Sequence, residues 1–211
     1  MTGGDVMDVP ERMQRLPRDP RRGIPVPWFV AWIDGQPDYR VIGPGKLALG
    51  IRFGHCWLCG YPIGRNGSFV IGPMCSVTRT NSEPPSHRDC AIYAAVTCPF
   101  LTRPAMRRRE KGLPEDAVEP AGVGLRRNPG VVAVWSTRKW SLFSDCRGGT
   151  LVKMGDPTEV LWYAEGRAAT RAEVEASIES GLPLLEADKE GPAAAAELGR
   201  LVDVARRYLP A

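Results

Sequence analysis

Two metal-binding spacings between residues 55 and 100 constrain this chain more than any other feature. Cys56 and Cys59 begin a Cys-x-x-Cys-Gly turn, while His87 and Cys90 lie three residues apart further along. The turn has the form of a zinc knuckle, in which two thiolates converge on one ion and a glycine lets backbone amides face the sulfurs. Residues three apart in the first turn of a helix share a face, so the second pair also converges. We therefore predict a metal site formed by Cys56, Cys59, His87 and Cys90.

Two further cysteines compete for places in this site. Cys75, which ends a Gly-Pro-Met-Cys sequence, is the alternative ligand, chiefly in place of His87, and Cys98 follows later in the same stretch. The spacing favours zinc over an iron–sulfur cluster, which remains the alternative. Four good ligands leave no open position for a water molecule, so we expect the zinc to be structural.

The order of elements around these ligands predicts a treble-clef-like N-terminal half. An Arg-Asn-Gly turn within residues 61–72 predicts a hairpin after the knuckle. A helix that starts near Ser86 and ends at Pro99 supplies His87 and Cys90. Knuckle, hairpin and ligand-bearing helix follow one another in the treble-clef order.

The motifs of this stretch also resemble those of a family of bacterial and phage proteins. These motifs are CWLCG, FVIGPMC, EPPSH, C-x-x-Tyr-Ala and CPFLTRP, within about residues 27–106, and the similarity extends more loosely over residues 162–185. The family has no established activity. The resemblance therefore implies a compact metal-bearing domain and identifies no catalytic residue.

Composition excludes some classes of protein. Of the 211 residues 43% are hydrophobic and 25% charged, and the net charge of +4 does not by itself indicate a polyanionic partner. No segment approaches the roughly 18–20 apolar residues that span a membrane, and the N-terminus lacks the apolar core of a signal peptide. We expect a cytoplasmic protein, since reducing conditions leave thiols available to a metal.

The chain divides into four predicted stretches of an α+β protein. Residues 1–26 are expected to form a disordered basic arm, because arginines alternate with prolines and apolar residues are few. Residues 27–105 form the metal-binding domain, and 106–129 a linker or long loop. Residues 130–211 are expected to form a small antiparallel meander covered by two helices, and the sequence leaves open whether they form one domain with 27–105. The predicted strands are 28–33, 39–42, 131–135, 140–144, 150–154 and 159–163; the other predicted helices are 46–53, 170–181 and 193–208.

Three functions fit these observations, and no catalytic residue is predicted. The chain lacks the dinucleotide, phosphate-loop, nucleophile-elbow and zinc-deaminase motifs, and the strand expected in the hairpin carries no histidine for an HNH nuclease. We predict a non-catalytic zinc-stabilised binding module that contacts nucleic acid or a protein partner. The contact residues would come from two basic runs, which comprise Arg107, Arg108, Arg109, Arg126 and Arg127.

The alternatives are an enzyme and an adaptor. A metal-dependent or cysteine-dependent enzyme acting on a small molecule would have its site near Cys75, because a cysteine after a rigid turn beside a metal can become nucleophilic. A phage or accessory adaptor would dock on a host enzyme. The sequence predicts neither the oligomeric state nor the natural ligand.

Overall fold

The computed structural model describes residues 7–104, 106–109, 111–113, 121, 127–145, 148–186 and 191–211. These residues form helices and antiparallel sheets, which confirms the predicted α+β class. The helices are α1 (Glu11–Gln14), α2 (Lys46–Phe53), α3 (Pro73–Thr78), α4 (Arg88–Thr97), α5 (Pro99–Thr102), α6 (Arg171–Glu186) and α7 (Pro192–Arg206). The strands are β1 (Val30–Ile33), β2 (Gln36–Ile42), β3 (Gly67–Ile71), β4 (Thr80–Asn81), β5 (Val132–Thr137), β6 (Trp140–Ser144), β7 (Thr150–Met154), β8 (Pro157–Ala164) and β9 (Arg167–Ala168).

Sheets join the two predicted halves of the chain. The larger sheet has the order β3-β5-β8-β9, and a second has the order β4-β7-β6. In each, a strand from the N-terminal half pairs antiparallel with a strand from the C-terminal half, β3 with β5 and β4 with β7. The stretch that carries the four candidate ligands is therefore part of the same framework as residues 130–211.

Strand β5 lies at the centre of this framework and is buried on both faces. Ala133 and Trp135 face the main core, which α3, α6 and α7 also line. Val132 and Val134 face the opposite way, against Ala91 and other residues of α4. An apolar run without alternation is typical of a strand buried on both faces. Because α4 packs on this strand, the sheet fixes the position of the helix that carries the second pair of ligands.

Two predicted pairings are wrong. The hairpin expected within 61–72 is not formed, since β3 pairs with β5, where the Ser68 and Ser136 hydroxyls lie 2.8 Å apart. The meander is also wrong: β6 and β7 form a hairpin, but β5 pairs with β8 in the other sheet. After β5 the chain turns at Thr137, whose hydroxyl bonds Lys139 and Asp156. A buried central strand needs partners on both edges, which a meander starting at β5 would not give it.

Other predicted elements are confirmed, and one helix is longer than predicted. Helix α2 and the β1–β2 hairpin lie where the sequence indicates. Helix α6 continues past Gly181, which was predicted to end it. A Cβ at Gly181 would come within 2.7 Å of the Met74 sulfur, so this glycine allows close packing of α6 on α3 rather than a helix stop.

Residues 7–26 are ordered, which corrects this part of the predicted disordered arm. Met13 and Leu16 are buried in the cluster that contains the candidate ligands Cys56, Cys59 and Cys90. The Arg12 guanidinium forms an ion pair with Asp89 of α4 at 2.8 Å. These contacts offset the entropy cost of ordering the segment, although its composition is polar.

Candidate metal centre

Four side chains meet between the knuckle and the start of α4. The ligand atoms of Cys56, Cys59, His87 and Cys90 all lie within 4.8 Å of one another. The three cysteines are completely buried, and His87 is half-buried. Thiols are weak hydrogen-bond donors, so hydrogen bonds among these groups hold them together less strongly than bonds to a shared metal ion would. The donor set and its burial fit a metal ion.

The knuckle holds its two sulfurs through backbone hydrogen bonds. The Cys59 amide donates to the Cys56 sulfur at 3.4 Å. The Gly60 amide donates to the Cys56 carbonyl at 2.9 Å, and the Cys56 amide donates to the Tyr61 carbonyl at 2.7 Å. This tight turn needs Gly60 in a left-handed conformation, with φ of 76°. These backbone contacts of the turn therefore position both thiols.

The other two candidate ligands, His87 and Cys90, lie at the N-terminus of α4. His87 is the N-cap residue, and its amide donates to the Cys56 sulfur at 3.4 Å. Its Nδ1 lies 3.3 Å from the Cys59 sulfur, whereas Nε2 lies 3.1 Å from the Pro62 carbonyl oxygen. A carbonyl only accepts, so Nε2 carries the proton and Nδ1 is left to face the sulfurs. Such a backbone partner orients a ligand histidine and fixes its tautomer.

The electrostatics of the cluster favour a cation. The pKa of Cys56 is far below its ordinary value, chiefly because Cys59 and then Cys90 hydrogen-bond to its thiolate. The pKa of His87 is raised to about 10 by its hydrogen bonds to Cys56 and Cys59. The pKa of Cys90 is raised, because it holds the proton that it shares with the other two sulfurs. Negative charge thus collects on sulfur while protons occupy the space between the ligands, and a divalent ion would replace them.

An apolar shell surrounds the centre. Met13, Leu16 and Tyr93 are buried together with the three cysteines. Behind the knuckle, the rings of Phe29 and Trp57 stack with centroids 4.7 Å apart. A shell of this kind excludes water, which strengthens the attraction between thiolates and a cation.

Sequence reasoning missed the two arginines that hold the N-terminal segment over the centre. The Arg15 guanidinium donates to the Cys59 carbonyl at 3.0 Å and lies 3.7 Å from the centre of the Tyr61 ring. Arg12 binds Asp89, which lies between the ligands His87 and Cys90 in the sequence. The sequence did contain a signal that this segment packs. Met13 and Leu16 are three residues apart and therefore form a small apolar face, although most residues of the segment are polar.

Cys75, the predicted alternative ligand, lies outside the cluster. It belongs to α3 and packs against the main core. Burial, and next the nearby charge of Glu83, raises the pKa of its thiol to about 11. Nucleophilic cysteines have a lowered pKa, so this environment opposes the predicted enzyme site. Cys98, the weaker rival, is also outside the cluster, and burial raises its pKa.

The two predicted basic runs lie side by side. Arg107 and Arg127 pair through an isolated antiparallel bridge, although they are twenty positions apart in the sequence. Arg107, Arg108, Arg109 and Arg127 are all exposed, and Arg126 lies outside the described residues. Arg108 donates to the Arg40 carbonyl at 2.7 Å, while Arg127 lies 3.4 Å from the Ser180 hydroxyl. We refer to Arg107, Arg108, Arg109 and Arg127 as the arginine patch.

Searches of family models, of curated proteins and of solved structures found no match to this chain. The family resemblance therefore stays a prediction from the motifs. Among the helices of the described residues, none has the length and apolar character to cross a membrane.

Proposed function

We propose that the protein binds one structural zinc ion through Cys56, Cys59, Cys90 and Nδ1 of His87. The proposal depends above all on the convergence of these four ligand atoms within 4.8 Å. Zinc with bonds of about 2.0–2.3 Å places tetrahedral ligand atoms about 3.3–3.8 Å apart, and the Cys59 sulfur and Nδ1 of His87 lie 3.3 Å apart in this cluster. Three thiolates and one imidazole are a common donor set for structural zinc, whereas iron–sulfur clusters usually take four thiolates.

The ion would connect the knuckle to α4, and thus to the sheet on which α4 packs. Four protein ligands complete a tetrahedron, so no position remains for a substrate or a reactive water. We further propose that knuckle, β3 and α4 form a treble-clef-like unit, and that the chain belongs to the bacterial and phage family whose motifs it resembles. Buried thiolates also support our proposal of a reducing, cytoplasmic location.

Metal analysis of the purified protein tests the zinc site. We expect about one zinc per chain, and loss of zinc when serine replaces Cys56, Cys59 or Cys90. Serine at Cys75 or Cys98 is the matched control, and these variants should retain the metal because both residues lie outside the cluster. A protein with no metal, with iron, or with zinc retained after Cys90→Ser would contradict the proposal.

We propose nucleic acid as the partner of this zinc-stabilised module, bound at the arginine patch. The supporting observation is the bridge between Arg107 and Arg127, which brings one exposed arginine from each basic run next to the other. Guanidinium groups present several donors in a plane and bind phosphate oxygens in pairs. A surface of this type contacts the nucleic-acid backbone without reading its sequence.

Salt dependence measures this contact. In fluorescence anisotropy with a labelled duplex, replacing Arg107 and Arg127 by alanine should reduce the slope of log affinity against log salt by about 1.8, or about 0.9 per lost phosphate contact. Arg200→Ala is the control, because Arg200 lies on α7 and is ion-paired with Glu197 of its own helix. Absence of binding at low salt, or an equal slope in both variants, would refute the nucleic-acid proposal. Failure here would leave a protein partner as the interpretation.

A further inference from the structure

Within the part of the chain that the structure describes, strand β6 forms an unpaired edge of the second sheet. It is the last strand in the order β4-β7-β6, and residues 141–144 are all exposed. Leu142 and Phe143 are large apolar side chains on opposite faces of this strand, because side chains alternate along a strand. Among the described residues no strand pairs with the outer side of β6.

The backbone groups that point outward can be derived from the pairing with β7. The Asp145 amide donates to the Gly149 carbonyl, and the Gly155 amide donates to the Lys139 carbonyl, each at 2.8 Å. These two bonds show that the backbone groups of Lys139 and Asp145 point toward β7. Along an antiparallel strand, residues whose backbone groups point toward a given neighbour alternate with residues whose groups point away from it. The amides and carbonyls of Trp140, Leu142 and Ser144 therefore point away from β7, toward the uncovered side.

We propose that this edge pairs with the same edge of a second copy of the chain. Antiparallel pairing centred on Leu142 places Leu142 opposite Leu142, and Trp140 opposite Ser144 of the second copy. The amides of Trp140, Leu142 and Ser144 then meet carbonyls of the second copy, because the backbone groups of all three residues point away from β7. The result is one continuous sheet of six strands, with three from each copy.

The side chains are self-complementary in this register. Lys139 lies opposite Asp145 of the second copy, and the two-fold axis produces this pair twice. Asp145 is already engaged, since its carboxylate accepts a hydrogen bond from the Gly149 amide, and a carboxylate can accept from several donors at once. Phe143 lies on the same face of the strand as Lys139 and Asp145. It is diagonal to Phe143 of the second copy, at a separation that two aromatic rings can span. A copy of the chain is therefore the occupant that this edge fits best.

The other sheet edges among the described residues do not share all of these features. Strand β1 has four residues, of which Val30 and Ala31 are buried. Strands β4 and β9 have two residues each, too short to serve as a template. Strand β2 contains Pro37 and the charged residues Asp38 and Arg40, which are typical of protected edges. Strand β3 is largely buried. Strand β6 has neither proline nor charge within its five residues.

Sedimentation velocity on the full chain, over a roughly hundredfold range of concentration, tests the pairing. We expect a reversible monomer–dimer equilibrium. Leu142→Lys should weaken the dimer roughly tenfold or more, because it places two ammonium groups opposite each other at the centre. Leu184→Lys is the matched control: Leu184 lies on α6 and, like Leu142, is 48% exposed, so it should leave the dimer unchanged.

A second variant tests the register. Lys139→Glu places like charges opposite each other twice and should weaken the dimer about 5- to 30-fold, with less effect at high salt. A wild-type chain that stays monomeric at every concentration would overturn the proposal. So would a dimer that survives Leu142→Lys unchanged, or one that Leu184→Lys weakens equally.

Discussion

Gly60 offers a sharp test of how the knuckle is built. Its φ of 76° lies in the left-handed region, and a Cβ added there would come within 2.5 Å of the Trp28 ring. For an alanine, the left-handed conformation costs roughly 1–2 kcal/mol. Overlap with a packed ring costs about 1–3 kcal/mol more, because either the ring or the turn must move. We therefore expect Gly60→Ala to lower the free energy of unfolding by roughly 2–5 kcal/mol.

Gly35→Ala separates the two costs. Gly35 has a similar φ of 71° in the β1–β2 turn, but a Cβ there would have no atom within 4 Å. Its substitution should cost only the conformational part, roughly 1–2 kcal/mol. The difference between the variants therefore isolates the contact with Trp28, at about 1–3 kcal/mol.

Urea unfolding of both variants, each loaded with metal, measures the two losses of stability. A chelator titration then shows whether either variant holds the ion less tightly than the wild type. Because Gly60 belongs to the turn that places two sulfurs, Gly60→Ala should also release metal at lower chelator concentration, whereas Gly35→Ala should not. Equal losses of stability in the two variants, or equal chelator sensitivity, would refute this account of the knuckle.

Two further predictions concern the N-terminal segment and the start of α6. Met13→Ala should lower the free energy of unfolding, measured in urea, by about 2–5 kcal/mol, because Met13 is only 1% exposed. Met7→Ala is the control and should have little effect, because Met7 is 39% exposed. Equal effects of the two substitutions would show that the segment is not packed. Arg167 and Thr170 lower the pKa of Glu173 from 4.5 to about 2. Its stabilising effect is therefore complete above about pH 4.5 and is lost as the pH falls toward 2. Melting curves against pH should show this loss in the wild type and not in Glu173→Gln; identical curves would contradict it.

The proximity of the four candidate ligands was predictable because each pair is set by local geometry. A Cys-x-x-Cys-Gly turn and a three-residue spacing at a helix start both act over a few residues, so the sequence displays them directly. Only the meeting of the two pairs is long-range. The backbone partner of His87, the Pro62 carbonyl, was not predictable, because it depends on how the turn and helix pack.

Strand pairing was less predictable, because partners are chosen by packing across long stretches of sequence. The run at β5 contained a usable signal. Its residues Val132, Ala133, Val134 and Trp135 are apolar without alternation, and such a run indicates a strand covered on both faces. A meander that begins with this strand would leave one of its edges unpaired. Placing β5 at the centre of a sheet would have followed from the same residues.

The N-terminal segment shows why average composition can mislead. Arg15 binds the carbonyl of Cys59 in the knuckle, and Arg12 binds Asp89 in α4. The segment therefore connects the same two parts of the chain that a metal ion would connect. Two ligands that order the same pair of elements bind cooperatively, because the first pays the entropy cost of bringing the elements together. This coupling acts equally in both directions. Loss of the arginine contacts should lower the affinity for metal by the same factor by which loss of the metal weakens docking of the N-terminal segment.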